Sequence, residues 1–300
     1  MDVKYFNITI ENQENRIDKF LADNLEDFSR TQVQQLIKDK NVLVNDNPTK
    51  ANYLLEENDL IKVVIPDPVT IDIVAEDIPL DIYYEDEDVI VVNKPSGMVV
   101  HPALGNYSGT LVNALMHHCK DLSGIGGVLR AGIVHRIDKD TSGLLVSCKS
   151  DLAQKSLSLQ FFNKTVTRKY YAICYGVINH NLGRIDAPIG RDPDNRQRMA
   201  VVDGGKNAVT NFKVLHRYKE YTLLELQLET GRTHQIRAHM KYIGHPVVGD
   251  PLYGPKKVIG DHGQFLHAKT LGFTHPKTNE FLEFDSPLPD FFEDFLNTLE

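Results

Sequence analysis

The sequence has few cysteines and spaces none of them for chemistry. Cys119, Cys148 and Cys174 are scattered and odd in number, and no pair has C-x-x-C spacing. That excludes a disulfide framework and a cysteine zinc site, and it suits a reducing, cytosolic compartment. No apolar run is long enough to span a bilayer. The first residues, Met1-Asp2-Val3-Lys4-Tyr5-Phe6, lack the apolar core of a signal peptide. There is no internal repeat and no low-complexity tract, so ordinary globular units are expected, one or two of them for 300 residues. A positive charge balance is also missing. The net charge is −8, which for the chain as a whole argues against a nucleic-acid partner.

The charge that is there is unevenly spread. Between Glu56 and Asp88, twelve acids face Lys62 alone. Between Lys164 and Lys241, fourteen lysines and arginines stand against seven carboxylates. A local positive field attracts a polyanion within a Debye length even when distant charge is negative. The acidic tract contains Asp67-Pro68 and few packing residues, and it reads as a linker over residues 67–79.

The most informative stretch runs from Gly132 to Val146. It opens with Gly132-Ile133-Val134, carries Arg136, Asp138, Lys139 and Asp140, and closes with Gly143-Leu144-Leu145-Val146. This is the pattern of a strand that breaks into a polar turn and resumes as a strand. Turns on such rigid supports commonly carry sites.

Upstream, Tyr5 to Ile10 alternate as an edge strand would. Ile17, Phe20 and Leu21 have helical spacing. Ser29 and Gln32 form a capping box ahead of the stripe Val33, Leu36 and Ile37. Val42-Leu43-Val44 and Asp59 to Ile65 read as strands. Downstream, Val89-Ile90-Val91-Val92-Asn93-Lys94 is a buried strand and Thr110 to Met116 a short amphipathic helix. Gly124-Ile125-Gly126-Gly127 is not G-x-G-x-x-G and is given no nucleotide role. A helix over Leu152 to Phe162 and a strand over Thr165 to Gly176 follow. Paired strands over Ala208 to Leu215 and Tyr221 to Leu228 come next, then a helix from His234. Two short strands and a terminal helix over Phe291 to Leu299 close the chain. Many strands without regular βαβ alternation point to an α+β fold with a mixed, largely antiparallel sheet flanked by helices.

His234 and His239 are five apart and His117-His118 are adjacent. A helical zinc site needs i, i+4 and a third ligand, so these read as structural or RNA-facing. Lys94, Arg196, Arg198 and Arg232 are candidates for phosphate contact.

Two resemblances sharpen this reading. Arg16-Ile17-Asp18-Lys19-Phe20-Leu21, Ser29 to Ile37 and Val42-Leu43-Val44-Asn45 are similar to the S4 RNA-binding domain, over Asn15 to Ile65. The likeness implies a small N-terminal α/β unit over residues 1–66, with Arg30, Lys38 and Lys40 on its RNA face. His135-Arg136-Ile137-Asp138-Lys139-Asp140-Thr141-Ser142-Gly143-Leu144-Leu145 resembles the signature of the ribosomal large-subunit class of pseudouridine synthases. Four flanking regions fit in order. Val92 to Gly97 with His101-Pro102 precede the signature, and Lys169-Tyr170-Tyr171-Ala172 follows it. Thr230 to Arg237 and then Gly249 to Gly254 complete the set.

That resemblance implies a catalytic unit over residues 80–300, with Asp138 as the catalytic aspartate. It makes Tyr170 the stacking tyrosine and Arg237 the arginine paired with the carboxylate. Arg136 helps open the RNA stem. It implies isomerisation of uridine in large-subunit ribosomal RNA, a reaction without redox step or phosphoryl transfer that calls for no cofactor or metal; a cytoplasmic location and a monomer are expected by default. Transfer RNA is the alternative substrate, and a non-catalytic RNA-binding or ribosome-assembly factor the alternative class.

Overall fold

The computed structural model of the chain describes residues 2–25, 28, 30–65, 73–102, 106–119, 132–195 and 197–299. Ser29, Arg196 and the glycine-rich 124–127 segment, singled out above, lie outside them. The chain divides into two compact units, Met1–Ile71 and Asp72–Glu300. Among the described residues no helix is long and apolar enough to cross a membrane.

The first unit contains β1 (Asp2–Asn7), α1 (Ile17–Asn24), α2 (Arg30–Lys38), β2 (Val42–Val44), β3 (Asn47–Pro48) and β4 (Leu60–Ile65). Its sheet is antiparallel in the order β1-β4-β2-β3. The expected helical spacings become its core. Ile17, Phe20 and Leu21 of α1 meet Val33, Leu36 and Ile37 of α2 over Val42, Ile61 and Val63. The edge strand starts and ends three residues earlier than expected, and Ile10–Asn12 turn as a 3-10 helix.

The second unit contains β5 (Asp81–Glu85), β6 (Val89–Lys94), α3 (Leu111–His118), β7 (Ser142–Cys148), α4 (Asp151–Asn163) and β8 (Thr167–Tyr175). Then come β9 (Leu182–Asp186), β10 (Ile189–Arg191), β11 (Met199–Val201), β12 (Val209–Arg217) and β13 (Tyr221–Leu228). The chain ends with α5 (Gln235–Tyr242), β14 (Leu266–Thr274), β15 (Phe281–Asp285) and α6 (Asp290–Asn297). One sheet runs β5-β6-β7-β14-β8-β13-β12-β9, with β15 also on β14. Among the described residues, only β7 and β14 pair in parallel in this sheet; its other pairings are antiparallel. Both faces are covered, so strand residues of either parity are apolar. Ile90, Val92, Leu145 and Ala172 pack with Leu111 and Leu115 of α3 and Ile236 and Met240 of α5. Val89, Val91, Leu144 and Val146 pack with Ala153 and Leu157 of α4.

Two expectations are corrected here. The acidic linker does not extend to residue 79. Ile73 is buried against Val112, and the Val74 carbonyl accepts from Asn113 Nδ2 at 2.7 Å. The second correction is the strand expected ahead of Asp138. It is reduced to a single bridge, Ile133 to Ser147, because the next donor, Val146 N–H, goes to His135 Nε2 at 3.1 Å. A side chain takes the bond that a ladder would need.

Candidate active site

Asp138 sits in the loop between that bridge and β7, and the loop is held from several sides. Cys148 N–H donates to Gly132 O at 2.8 Å. Gly132 has φ +71, and a Cβ there would stand 2.0 Å from Cys148 O; only glycine accepts both the conformation and the approach. The His135 ring stacks on Phe161, centroids 4.5 Å apart. Burial, with Arg168 nearby, lowers the His135 pKa to about 3, so Nε2 stays free to accept. At the far end, Gly143 allows β7 to lie against Ala268 of β14.

Lys94 completes the support, and this corrects its assignment. It is 1% exposed. Its Nζ donates to Pro95 O at 2.7 Å and to Met98 O and Lys139 O at 2.8 Å each. Three backbone carbonyls surround Nζ, one of them next to Asp138, so this lysine is no phosphate ligand. Burial lowers its pKa to about 7, although Asp140 and Asp138 act to raise it.

Arg237 comes from α5. Gln235, at the start of that helix, accepts from Thr230 Oγ1 and Arg232 N–H and donates to Val209 O and Thr210 Oγ1. His239 lies between Thr210 Oγ1 at 2.9 Å and Ala187 O at 3.0 Å. Both residues fix α5 against β12, and His239 is therefore structural. Thus held, Arg237 Nη1 donates to Asp138 Oδ2 at 2.9 Å. Its Nε and Nη2 donate to Asp250 at 2.6 and 2.9 Å, a two-pronged contact. Burial opposes the charge on Arg237, but Asp250 and then Asp138 more than offset it and raise its pKa.

Tyr170 of β8 is 6% exposed and lines the same cavity as Asp138. Among the described residues its hydroxyl has no hydrogen-bond partner. Burial raises its pKa, and Asp138 adds to the effect. Strand alternation sends Tyr171 to the opposite face, where it packs with Ile173 and Phe292. The cavity is about 770 Å³, and its lining includes Arg136, Asp138, Tyr170, Arg232, His234 and Arg237. Arg136 and Arg232 are exposed and in no ion pair among the described residues, while Arg232 Nε donates to Asn207 O at 2.9 Å. Arg198 is paired with Asp192.

Lys38 and Lys40 are exposed in the first unit. Arg30 is half-exposed, and its guanidinium donates to Asp18, which also receives Arg16 and Gln34. Asp18 is buried, which would raise its pKa, yet Arg16, Gln34 and Arg30 lower it to about 2.

Sequence reading missed Asp250 and Tyr253 as parts of the site and left His234 open between a structural and an RNA-facing role. Asp250 and Tyr253 lie in the Gly249–Gly254 stretch, whose pattern signals only a turn. A carboxylate fixed on one oxygen and free on the other, beside an aromatic ring in a nucleoside-sized cavity, can act as nucleophile or base.

Comparison with known proteins agrees with the geometry. Residues 88–242 match the RNA pseudouridylate synthase family and residues 15–61 the S4 domain. The chain is 60% identical over 289 residues to the uncharacterized RNA pseudouridine synthase YlyB of Bacillus subtilis, covering 96% of this chain and 95% of that one. It is 48% identical to ribosomal large subunit pseudouridine synthase D of Neisseria meningitidis serogroup A, covering 92% and 76%. Among solved structures, human RNA pseudouridylate synthase domain containing 4 aligns with TM-score 0.58 and 26% identity, over 73% of this chain and 93% of that one.

Proposed function

Because the chain belongs to the RNA pseudouridylate synthase family, we propose that it isomerises specific uridines of large-subunit ribosomal RNA, with Asp138 as the attacking carboxylate. The observation that carries the reading is the Asp138–Arg237 contact at 2.9 Å beside Tyr170 in one cavity. Relatives named as large-subunit synthases support the choice of RNA.

The reaction breaks the bond from C1′ to N1 of uracil, turns the base and joins C1′ to C5. C5 gives up a proton and N1 gains one, so the atoms balance without a co-substrate or redox step. Arg237 holds Oδ2, which leaves Oδ1 to attack C1′ or to take a ribose proton; both routes start from the same oxygen. The ion pair fixes the orientation of the carboxylate at the cavity wall. Tyr170 offers a flat surface to the detached base. The target nucleotide must leave its stack, at a cost of a few kcal/mol when paired. Arg136 and Arg232 at the cavity, with Lys38 and Lys40 on the S4 unit, supply phosphate contacts.

The test is pseudouridine mapping of RNA from a deletion strain carrying either the wild-type gene or Asp138→Asn. The wild type should restore defined large-subunit sites, and Asp138→Asn should bind RNA yet restore none. Restoration by the variant would refute the role of Asp138. Sites lost from transfer RNA instead would refute the choice of substrate.

A further inference from the structure

Asp138 commits only one of its oxygens to the protein. Oδ2 accepts from Arg237, while Oδ1 receives no hydrogen bond from the described residues. His234 Nε2 stands 4.0 Å from Oδ1. What that nitrogen presents is decided by a third residue. The Tyr253 hydroxyl accepts Met199 N–H at 2.7 Å and lies 3.0 Å from His234 Nδ1. Among the described residues the phenol has no other acceptor for its own proton, which therefore goes to Nδ1. A neutral imidazole with Nδ1 accepting carries its proton on Nε2. Burial, Arg237 and Arg136 lower the His234 pKa while Asp138 and Asp250 raise it, with a net lowering that keeps the ring neutral. An N–H donor thus stands beside the one free oxygen of the carboxylate.

The position of that donor has a chemical meaning, which rests on the reading of Asp138 given above. An oxygen that attacks C1′ opposite the base approaches the ribose face that carries the neighbouring 2′-hydroxyl. A donor next to Oδ1 meets that hydroxyl, the group that distinguishes RNA from DNA. We propose that His234, held as the Nε2–H tautomer by Tyr253, donates to the 2′-oxygen of the target ribose and makes the site select a ribonucleotide. His234 Nε2 and Asp138 Oδ1 stand 4.0 Å apart, so an oxygen lying to one side of the line between them can meet both at about 2.8 Å. The backbone explains why histidine can stand there. Residue 234 has φ 54 and ψ 21, just ahead of α5, a left-handed conformation that His and Asn adopt more readily than most residues.

The experiment uses the full chain and two synthetic RNA stem-loops spanning a mapped target, one with uridine and one with 2′-deoxyuridine at that position. The quantity read is the ratio of single-turnover rates on the two. His234→Asn keeps the backbone conformation but is too short to reach, and it should reduce the ratio by on the order of tenfold, the value of one hydrogen bond. Tyr253→Phe frees Nδ1 to carry the proton and should shift the ratio the same way by less. A structural role would slow both substrates alike; an unchanged ratio in both variants, or a wild type indifferent to the 2′-hydroxyl, overturns the proposal. If the wild type converts neither oligonucleotide nor the mapped RNA, the parent reading of Asp138 falls first and takes this one with it.

Discussion

Replacing Asp250 by asparagine isolates what the second carboxylate does. Arg237 is 4% exposed and Asp250 is 1% exposed. The guanidinium donates to Asp250 twice and to Asp138 once. Asparagine keeps the shape, and its oxygen can still accept from the Leu252 and Tyr253 N–H groups now held by Oδ1. It cannot accept both Arg237 bonds, because its NH₂ end opposes a donor. Removing one partner of a buried ion pair costs about 3–5 kcal/mol. The retained shape favours the lower end, so about 3 kcal/mol is expected. Asp138→Asn provides the contrast: that side chain is 21% exposed, Asp250 still neutralises Arg237, and the cost should be ~1 kcal/mol or less. With Asp250 neutral, the guanidinium turns both prongs to Asp138 and occupies the oxygen meant for substrate. A misplacement of this size lowers kcat by roughly 100-fold. Urea unfolding of the full chain, followed by far-UV circular dichroism, gives the stability, and hydrogen exchange on α5 assigns it to the catalytic unit. If Asp250→Asn were no less stable than Asp138→Asn and kept its kcat, the buried pair would not be what fixes Arg237.

Three further outcomes follow from the same geometry. Lys94 has a pKa of about 7 against an ordinary 10.5; between those values the unfolded chain holds a proton that the folded chain has shed. Unfolding free energy should therefore rise with pH from 7 to 10.5, by up to about 1.4 kcal/mol per unit. Lys94→Met should flatten that slope in denaturant titrations, and an unaltered slope would show that another group is responsible. Gly143→Ala would place a Cβ 2.4 Å from Ala268 O at φ +117, whereas Gly97→Ala at φ +84 meets nothing within 4 Å. Thermal unfolding should show the first losing more than about 2 kcal/mol and the second about 1; equal losses would refute the close approach of β7 and β14. Finally, Lys38→Gln with Lys40→Asn, which suits the positive φ of residue 40, should weaken RNA binding across sequences. The slope of affinity against salt should fall by roughly one to two phosphate contacts. An unchanged slope would remove both lysines from the interface.

The S4 unit was largely legible before folding, because its core is local. Ile17, Phe20 and Leu21, then Val33, Leu36 and Ile37, declare two helices through spacings of three and four, and those side chains meet in the core. The strand Val89–Lys94 was legible for a similar reason. Helices cover both faces of the sheet, so Val89-Ile90-Val91-Val92 is apolar at every step.

Lys94 shows where such reading stops. A lysine in a sequence signals exposure, yet this one is buried by three carbonyls that converge on it. Backbone acceptors exist at every residue, and nothing in the residue types marks where three of them will point to one spot. The same limit applies to the site. Resemblance to a known family, not periodicity, brought Asp138, Tyr170 and Arg237 to notice as separate motifs, and alternation along β8 decides between Tyr170 and Tyr171 once the direction of one face is known. That Asp138 and Arg237, 99 residues apart, share a hydrogen bond, that Asp250 takes the other prongs, and that Tyr253 sets the proton on His234 were decided only by tertiary packing. Periodicity reports how one element faces its own neighbours, a few residues away. Which elements then meet depends on sheet order and on α5 settling across β12, and that is fixed by the burial of the whole core.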